Sequence, residues 1–127
     1  MDSVLENDMR EILRALSTLR VPAAPEEYDI HALVAAALER AGIAARHEAR
    51  LCPGCRIDFL CGHVGIEVKK NRPPRASLMK QIARYAASPD ISALILVAPG
   101  DLRLPREVCG VSVECVALAR LWGVALP

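Results

Sequence analysis

Two acids and a lysine pair lie within a short aliphatic stretch, RIDFLCGHVGIEVKK, at residues 56–70. Asp58, Glu67 and Lys69 fall on two predicted strands joined by a turn, and alternate residues of a strand share one face. The hairpin is therefore predicted to gather the three side chains on one face. Two adjacent carboxylates repel each other unless a cation lies between them, and their hard oxygen atoms suit Mg²⁺ or Mn²⁺. This pattern favours metal-assisted chemistry, and the alternative is a sheet face that meets water.

The same alternation assigns the apolar residues of the hairpin to the opposite face. Ile57 and Phe59 are predicted to point together into the core. Gly65 is expected to leave open space beside Glu67, since glycine has no side chain.

The elements that position these residues follow from hydrophobic periodicity and from turn residues. A first amphipathic helix is indicated by apolar residues at steps of four and three, namely Leu5, Met9, Ile12, Leu16 and Leu19. The remaining elements are predicted to be a helix within 28–43, strands at 44–51, 56–60 and 64–69, a helix at 76–88, strands at 91–99 and 110–118, and a terminal helix or turn. This order predicts an α/β fold with an antiparallel start and a parallel crossover.

A basic strip surrounds the predicted site. No acidic residue occurs between Lys69 and Arg84, and the strip contains Lys70, Arg72, Arg75, Lys80 and Arg84. A cluster of this kind is what a local surface for a phosphate backbone requires. An ordinary solvated helix face is the alternative.

Asp58, the Glu67-Val68-Lys69 tripeptide and Gln81 on the following helix resemble the PD-(D/E)XK nuclease superfamily, which includes restriction endonucleases and archaeal Holliday junction resolvases. The resemblance covers roughly residues 28–98. It implies a restriction endonuclease-like core, a mixed central sheet flanked by helices, here with an extra N-terminal helix. It also implies a divalent-metal-dependent nuclease, with DNA as the expected substrate.

The resemblance assigns a role to each of these residues. Asp58, Glu67 and the main-chain carbonyl of Val68 would bind Mg²⁺ or Mn²⁺. Lys69 would orient or activate the attacking water and stabilise developing negative charge, and Gln81 would help to hold the water or the lysine. These roles agree with what phosphodiester hydrolysis needs.

This chain departs from the family pattern at two places. Ile57 stands where the motif has a proline. Many members also carry a glutamate on the first core helix, which leaves the number of metal ions open. The candidates for that helix glutamate are Glu26, Glu27 and Glu39. Glu48, on the strand before Asp58, is a further residue that could reach the site.

The cysteines suggest a rival interpretation. Cys52 and Cys55 have the spacing of a zinc or redox pair, and Cys61 with His63 could complete four ligands. An extended strand would separate Cys55 from Cys61 by about 20 Å, at about 3.3 Å per residue, which disfavours this set. Cys109 and Cys115 are a further source of ligands, and His31 and His47 are interpreted as structural.

Composition limits the classes of function. The chain has 127 residues and a net charge of +1, which predicts one domain without a global field that attracts nucleic acid or membrane. The absence of a long apolar run and the odd number of cysteines predict a cytoplasmic protein. We expect an N-terminal helix at 1–21, a nuclease-like domain at 26–127, and a homodimer formed through that helix or the final strand. The alternatives to a nuclease are a non-catalytic nucleic-acid-binding or assembly domain of the same fold and a zinc-stabilised interaction module.

Overall fold

The computed structural model describes residues 3–20 and 29–121 of the chain. The elements in these residues are α1 (Ser3–Leu16), α2 (Ile30–Arg40), β1 (Arg46–Cys52), β2 (Cys55–Cys61), β3 (Val64–Val68), α3 (Arg75–Ala86), β4 (Ala93–Ala98), β5 (Glu107–Val108), β6 (Val111–Ala117) and α4 (Leu118–Leu121). Among the helices of this described part, none is long and apolar enough to cross a membrane.

The strands form one mixed sheet in the order β1-β2-β3-β4-β6-β5. β1, β2 and β3 are antiparallel neighbours, whereas β3 pairs in parallel with β4 through the crossover helix α3, and β4 pairs in parallel with β6. The predicted α/β class and the antiparallel start with a parallel crossover are therefore confirmed. The two-residue strand β5, which is absent from the predicted elements, covers part of one edge of β6.

Helices cover both faces of the sheet. On one face, α1 and α2 bury Met9, Leu16 and Val34 against β3 and β4. On the other face, α3 buries Leu78 and Ile82. The apolar seam of α1 therefore packs within its own chain, which leaves it no role as the predicted dimer contact.

β3 is buried along its whole length. The sequence of a strand that is buried on both faces is typically a continuous run of apolar residues, whereas apolar and polar residues alternate in a strand with one exposed face. Glu67 is therefore buried, and the side chains of Asp58 and Lys69 are each only 21% exposed, so the alternative of a sheet face that meets water is wrong.

The predicted face assignment in β2 is also wrong. Ile57 packs in the core beneath α3, whereas Phe59 packs in the core beneath α1 and α2. The change of face coincides with Glu48 on the neighbouring strand, which has a φ of 48°. A left-handed backbone is uncommon at a non-glycine residue, and the register places Glu48 opposite Asp58, between the pairs His47–Phe59 and Ala49–Ile57. The Asp58 side chain is turned toward the main chain of Val68.

Gly65 does not leave open space beside Glu67. A Cβ atom at this position would lie 2.5 Å from the Ile57 side chain and 2.8 Å from the Ile91 side chain. These aliphatic groups already fill the volume that a side chain would need. Gly65 thus serves core packing beneath α3 rather than access to the site.

Candidate active site

The candidate site lies where β2 and β3 separate. Their main-chain pairing begins at Phe59 and Ile66, and Asp58 is the next residue outward in β2. The Asp58 carboxylate accepts a hydrogen bond from the amide of Val68 at 2.7 Å, and the Asp58 amide donates one to Glu67 Oε1 at 3.3 Å. The acid therefore takes the place of a strand partner, which brings the two predicted carboxylates together.

Glu67 is the buried member of the pair. Its side chain is 9% exposed, and its Oε2 lies 3.3 Å from Lys69 Nζ. Burial raises the pKa of Glu67, the charge of Asp58 raises it further, and the Lys69 ammonium opposes both. Ionised Glu67 therefore lowers the free energy of unfolding, and the nearby positive charge of Lys69 reduces this loss.

The position of Lys69 is fixed by the sheet. Its amide donates a hydrogen bond to the Val97 carbonyl at 2.8 Å, which extends the parallel pairing of β3 and β4 by one residue. Its side chain is 21% exposed. The ammonium therefore reaches solvent while it remains paired with Glu67, so it is placed to contact a charged ligand.

Gln81 and Tyr85 on α3 support the buried carboxylate. Gln81 Nε2 donates to Glu67 Oε2 at 3.3 Å and to the Tyr85 hydroxyl at 3.0 Å. The Tyr85 hydroxyl in turn donates to the Arg56 carbonyl at 3.1 Å. Burial, and then the charge of Glu67, raise the pKa of Tyr85 well above its usual range, so the hydroxyl keeps its proton. Gln81 was predicted as a site residue from the sequence, whereas Tyr85 was not.

We expect Tyr85→Phe to loosen this network without emptying the core. The phenyl ring fills the same space, but the Gln81 amide loses an acceptor and the Arg56 carbonyl loses its donor. Loss of these bonds should lower the free energy of unfolding by about 1 kcal/mol. If the site acts on a substrate, its turnover rate should fall while KM changes little. Urea denaturation and single-turnover kinetics measure the two effects, and an unchanged rate would contradict the positioning role.

His31 is a site residue that the sequence analysis missed. It lies in the first turn of α2, and its Nε2 is 3.1 Å from Asp58 Oδ1. The ring also stands 6.1 Å from Phe59, centroid to centroid, and a cleft of about 550 Å³ opens beside it. One feature of the sequence could have indicated the position of His31: Asp29 is the N-cap of α2, which places His31 in the first turn of that helix. The pairing with Asp58 depends on the tertiary fold.

The structure describes two of the four glutamates that were predicted as sources of a further ligand. Glu26 and Glu27 lie outside the described residues. Glu39 lies at the C-terminal end of α2, while the site adjoins the start of that helix. Glu48 lines the cleft beside Asp58, but its carboxylate is 3.5 Å from Arg56 Nη1.

The predicted basic strip divides into two groups. Three arginines are bound to main-chain carbonyls of their own chain: Arg72 to Asp101, Arg75 to Leu102 and Arg103, and Arg84 to Gly54. The side chains of Lys70 and Lys80 are exposed and make no hydrogen bond or ion pair within the described residues. Within this part of the chain, the two lysines are therefore the members of the strip whose side chains are not tied to a main-chain carbonyl.

The cysteine and histidine residues do not converge on one point. Cys55 and Cys61 lie at opposite ends of β2, and His63 lies beyond the far end. Within residues 3–20 and 29–121, no group of three or more His, Cys, Asp or Glu side chains could hold a metal ion. The proposed four-residue zinc set is therefore not assembled in this part of the chain.

The donor set at Asp58 and Glu67 still fits a hard divalent cation. Both carboxylates lie at the same strand separation, and the charge of one raises the pKa of the other. Mg²⁺ commonly binds through one or two carboxylates and retains several waters. The pair can therefore serve such an ion without a third acidic ligand.

Comparisons of this chain with protein-family models, with curated proteins and with solved structures find no match.

Proposed function

We propose that the protein is a divalent-metal-dependent nuclease that hydrolyses phosphodiester bonds in nucleic acid, with DNA as its expected substrate. The observation that carries this proposal is the contact of buried Glu67 with Lys69 beside Asp58. Burial of a carboxylate with a raised pKa opposes folding at neutral pH, so a structural role alone accounts for it poorly.

The topology supports assignment to the PD-(D/E)XK superfamily. α2, the antiparallel strands β1 to β3, the crossover helix α3 and the parallel strand β4 follow the order that the resemblance implies. Asp58, Glu67 and Lys69 then fall at the strand separation, and Gln81 reaches them from α3. The restriction endonuclease-like core is part of the proposal.

Mg²⁺ or Mn²⁺ held by Asp58, Glu67 and the Val68 carbonyl would supply a Lewis acid for the phosphate and make a nearby water more acidic. The remaining steps belong to side chains of the protein. Lys69 donates hydrogen bonds to the phosphate oxygens, where negative charge grows during attack. Gln81 keeps the Glu67 carboxylate oriented toward Lys69. His31 and the Val68 amide hold the two oxygens of Asp58.

The exposed lysines are suited to contacts with the substrate backbone. Lys70 follows Lys69 directly, and Lys80 precedes Gln81 on α3. Positive charges near the site bind phosphate independently of base sequence. The protein would therefore select a DNA structure or cut with weak sequence preference.

We expect Lys80→Gln to weaken DNA binding and to lower the slope of log affinity against log salt by about one unit. The cleavage rate with saturating enzyme should stay near the wild-type value, because Lys80 makes no bond to Glu67, Asp58 or Lys69. Fluorescence anisotropy at several salt concentrations measures the slope. Arg10→Gln, an exposed cation of α1 on the other face of the sheet, is the matched control. Equal slopes in both variants would contradict the assigned surface.

The proposal includes a cytoplasmic location and a homodimer. One site cuts one strand, so two sites in a dimer would cut both strands of a duplex. The apolar seam of α1 is excluded from that interface because Met9, Ile12 and Leu16 pack in the core of their own chain. Gel filtration with light scattering measures the oligomeric state.

The test uses plasmid, single-stranded and branched DNA with Mg²⁺, with Mn²⁺ and with EDTA. Binding and cleavage are measured on the same substrates. Metal-dependent cleavage supports a nuclease, whereas binding without cleavage of any substrate indicates the alternative, a non-catalytic nucleic-acid-binding or assembly domain.

A further inference from the structure

Two cysteines face each other at the tip of the β1–β2 hairpin. Cys52 ends β1, Cys55 begins β2, and the two are cross-strand partners. Pro53 and Gly54 form the turn between them, and Gly54 has a φ of 73°. Proline followed by a glycine with positive φ is typical of a type II turn. The turn therefore fixes the two cysteines opposite one another.

The two side chains also lie on the same side of the hairpin. Cys55 is buried in the core beneath α3, and half-buried Cys52 packs against the same core. Burial raises the pKa of the Cys55 thiol, and a hydrogen bond with Cys52 raises it further. The two free cysteines are therefore cross-strand neighbours that face the same core.

This placement is close to the geometry of a disulfide. Cross-strand neighbours have Cβ atoms about 4.5–5.5 Å apart. A disulfide needs about 3.5–4.5 Å between Cβ atoms and about 4.4–6.8 Å between Cα atoms. A small approach of the two strands beside the turn would thus suffice, and this end of the ladder is already irregular, with a register shift between Arg50 and Cys52.

We propose that Cys52 and Cys55 form a reversible dithiol–disulfide pair that exchanges with low-molecular-weight disulfides. The more accessible Cys52 gives up its proton, and its thiolate attacks one sulfur of the small disulfide and releases one small thiol. The Cys55 thiolate then attacks Cys52 Sγ and releases the second thiol. Cys55 gives up its own proton in this second step, so the protein loses two protons and two electrons in all, and the small disulfide gains them as it becomes two thiols.

The other described cysteines have no cysteine opposite them in the sheet, since Cys115 in β6 pairs with Leu96 and Cys61 in β2 pairs with Val64. Cys61 is at the opposite end of β2, and burial raises its pKa to about 11. Cys109 is exposed but sits in the turn between β5 and β6, away from the hairpin tip. The exchange is therefore expected to select the Cys52–Cys55 pair.

The pair is connected to the candidate site through few bonds. Arg56, next to Cys55, offers the carbonyl that the Tyr85 hydroxyl binds, and Gln81 links Tyr85 to Glu67. The redox chemistry itself does not require nuclease activity, so the two proposals can fail separately.

The experiment equilibrates the full chain with mixtures of oxidised and reduced glutathione, quenches with acid, alkylates under denaturing conditions and measures intact mass. We expect oxidising mixtures to protect two of the five cysteines, with the link mapped to residues 52 and 55 and fully reversed by reductant. Cys109→Ser should behave like wild type in this respect, whereas Cys52→Ser should lose the protected pair. A persistent glutathione adduct on wild type, a different pairing, or five alkylated cysteines in every mixture would overturn the proposal.

Discussion

Lys69→Ala is expected to lower the single-turnover rate of DNA cleavage by about 10²–10³-fold, the range seen when one donor that stabilises the transition state is removed. The ammonium is 3.3 Å from Glu67 Oε2 and partly open to solvent. It is the positive group closest to the buried carboxylate, and alanine leaves no substitute at this point of the sheet. Because the charge of Lys69 lowers the pKa of Glu67, its loss should also move the acidic limb of the pH–rate profile to higher pH.

Lys70→Ala is the matched control, since it removes the same charge one residue further along the chain. Lys70 is exposed and unpaired within the described residues. Its loss should weaken affinity and leave the rate at saturating enzyme nearly unchanged. Equal rate losses in the two variants would indicate a general effect of charge and would contradict a specific role for Lys69.

The second large effect is expected from Glu67→Gln, which should abolish metal-dependent cleavage and yet raise the Tm of the metal-free protein at pH 8. Burial and the charge of Asp58 raise the pKa of Glu67, so the folded protein binds this proton more tightly than the unfolded chain does. Stability therefore falls as pH rises above the ordinary pKa of 4.5 and keeps falling until pH passes the raised value. Glutamine has a similar shape and carries no charge, so the variant does not undergo this loss of stability.

The difference in Tm between Glu67→Gln and wild type should shrink as the pH is lowered toward 4, where Glu67 is protonated in both states. Mg²⁺ should raise the Tm of wild type, since it binds the folded state, and should have little effect on the variant. Differential scanning calorimetry at several pH values, with and without Mg²⁺, gives all of these values. A lower Tm for the variant at pH 8 would show that ionised Glu67 stabilises the fold. It would then contradict the inference that the burial of Glu67 opposes folding and therefore points to a functional role.

Much of the fold was predictable because its signals are local. The apolar run of β4, the turn at Gly62 and the periodicity of α3 each indicate their element without knowledge of the rest of the chain. The same locality identified Asp58, Glu67 and Lys69 as a candidate set, and the resemblance to the nuclease superfamily added Gln81.

The errors arose where side chains meet through the tertiary fold. The left-handed backbone of Glu48 has no signal in the sequence, so the change of face between Ile57 and Phe59 could not be foreseen. The contact of His31 with Asp58 joins residues 27 positions apart, and Arg75 binds carbonyls that come 27 and 28 residues later. The charges of residues and their spacing in the sequence do not indicate which distant side chains meet in the fold.

The most direct test of the central claim is the rate at which purified wild-type protein cleaves its best-bound DNA substrate in Mg²⁺, measured beside Lys69→Ala of equal Tm and beside wild type in EDTA. The proposed site predicts cleavage by wild type with Mg²⁺ and a loss of at least about 10²-fold in both comparisons. Wild-type protein that is as inactive as Lys69→Ala on every substrate and with either metal ion would contradict it.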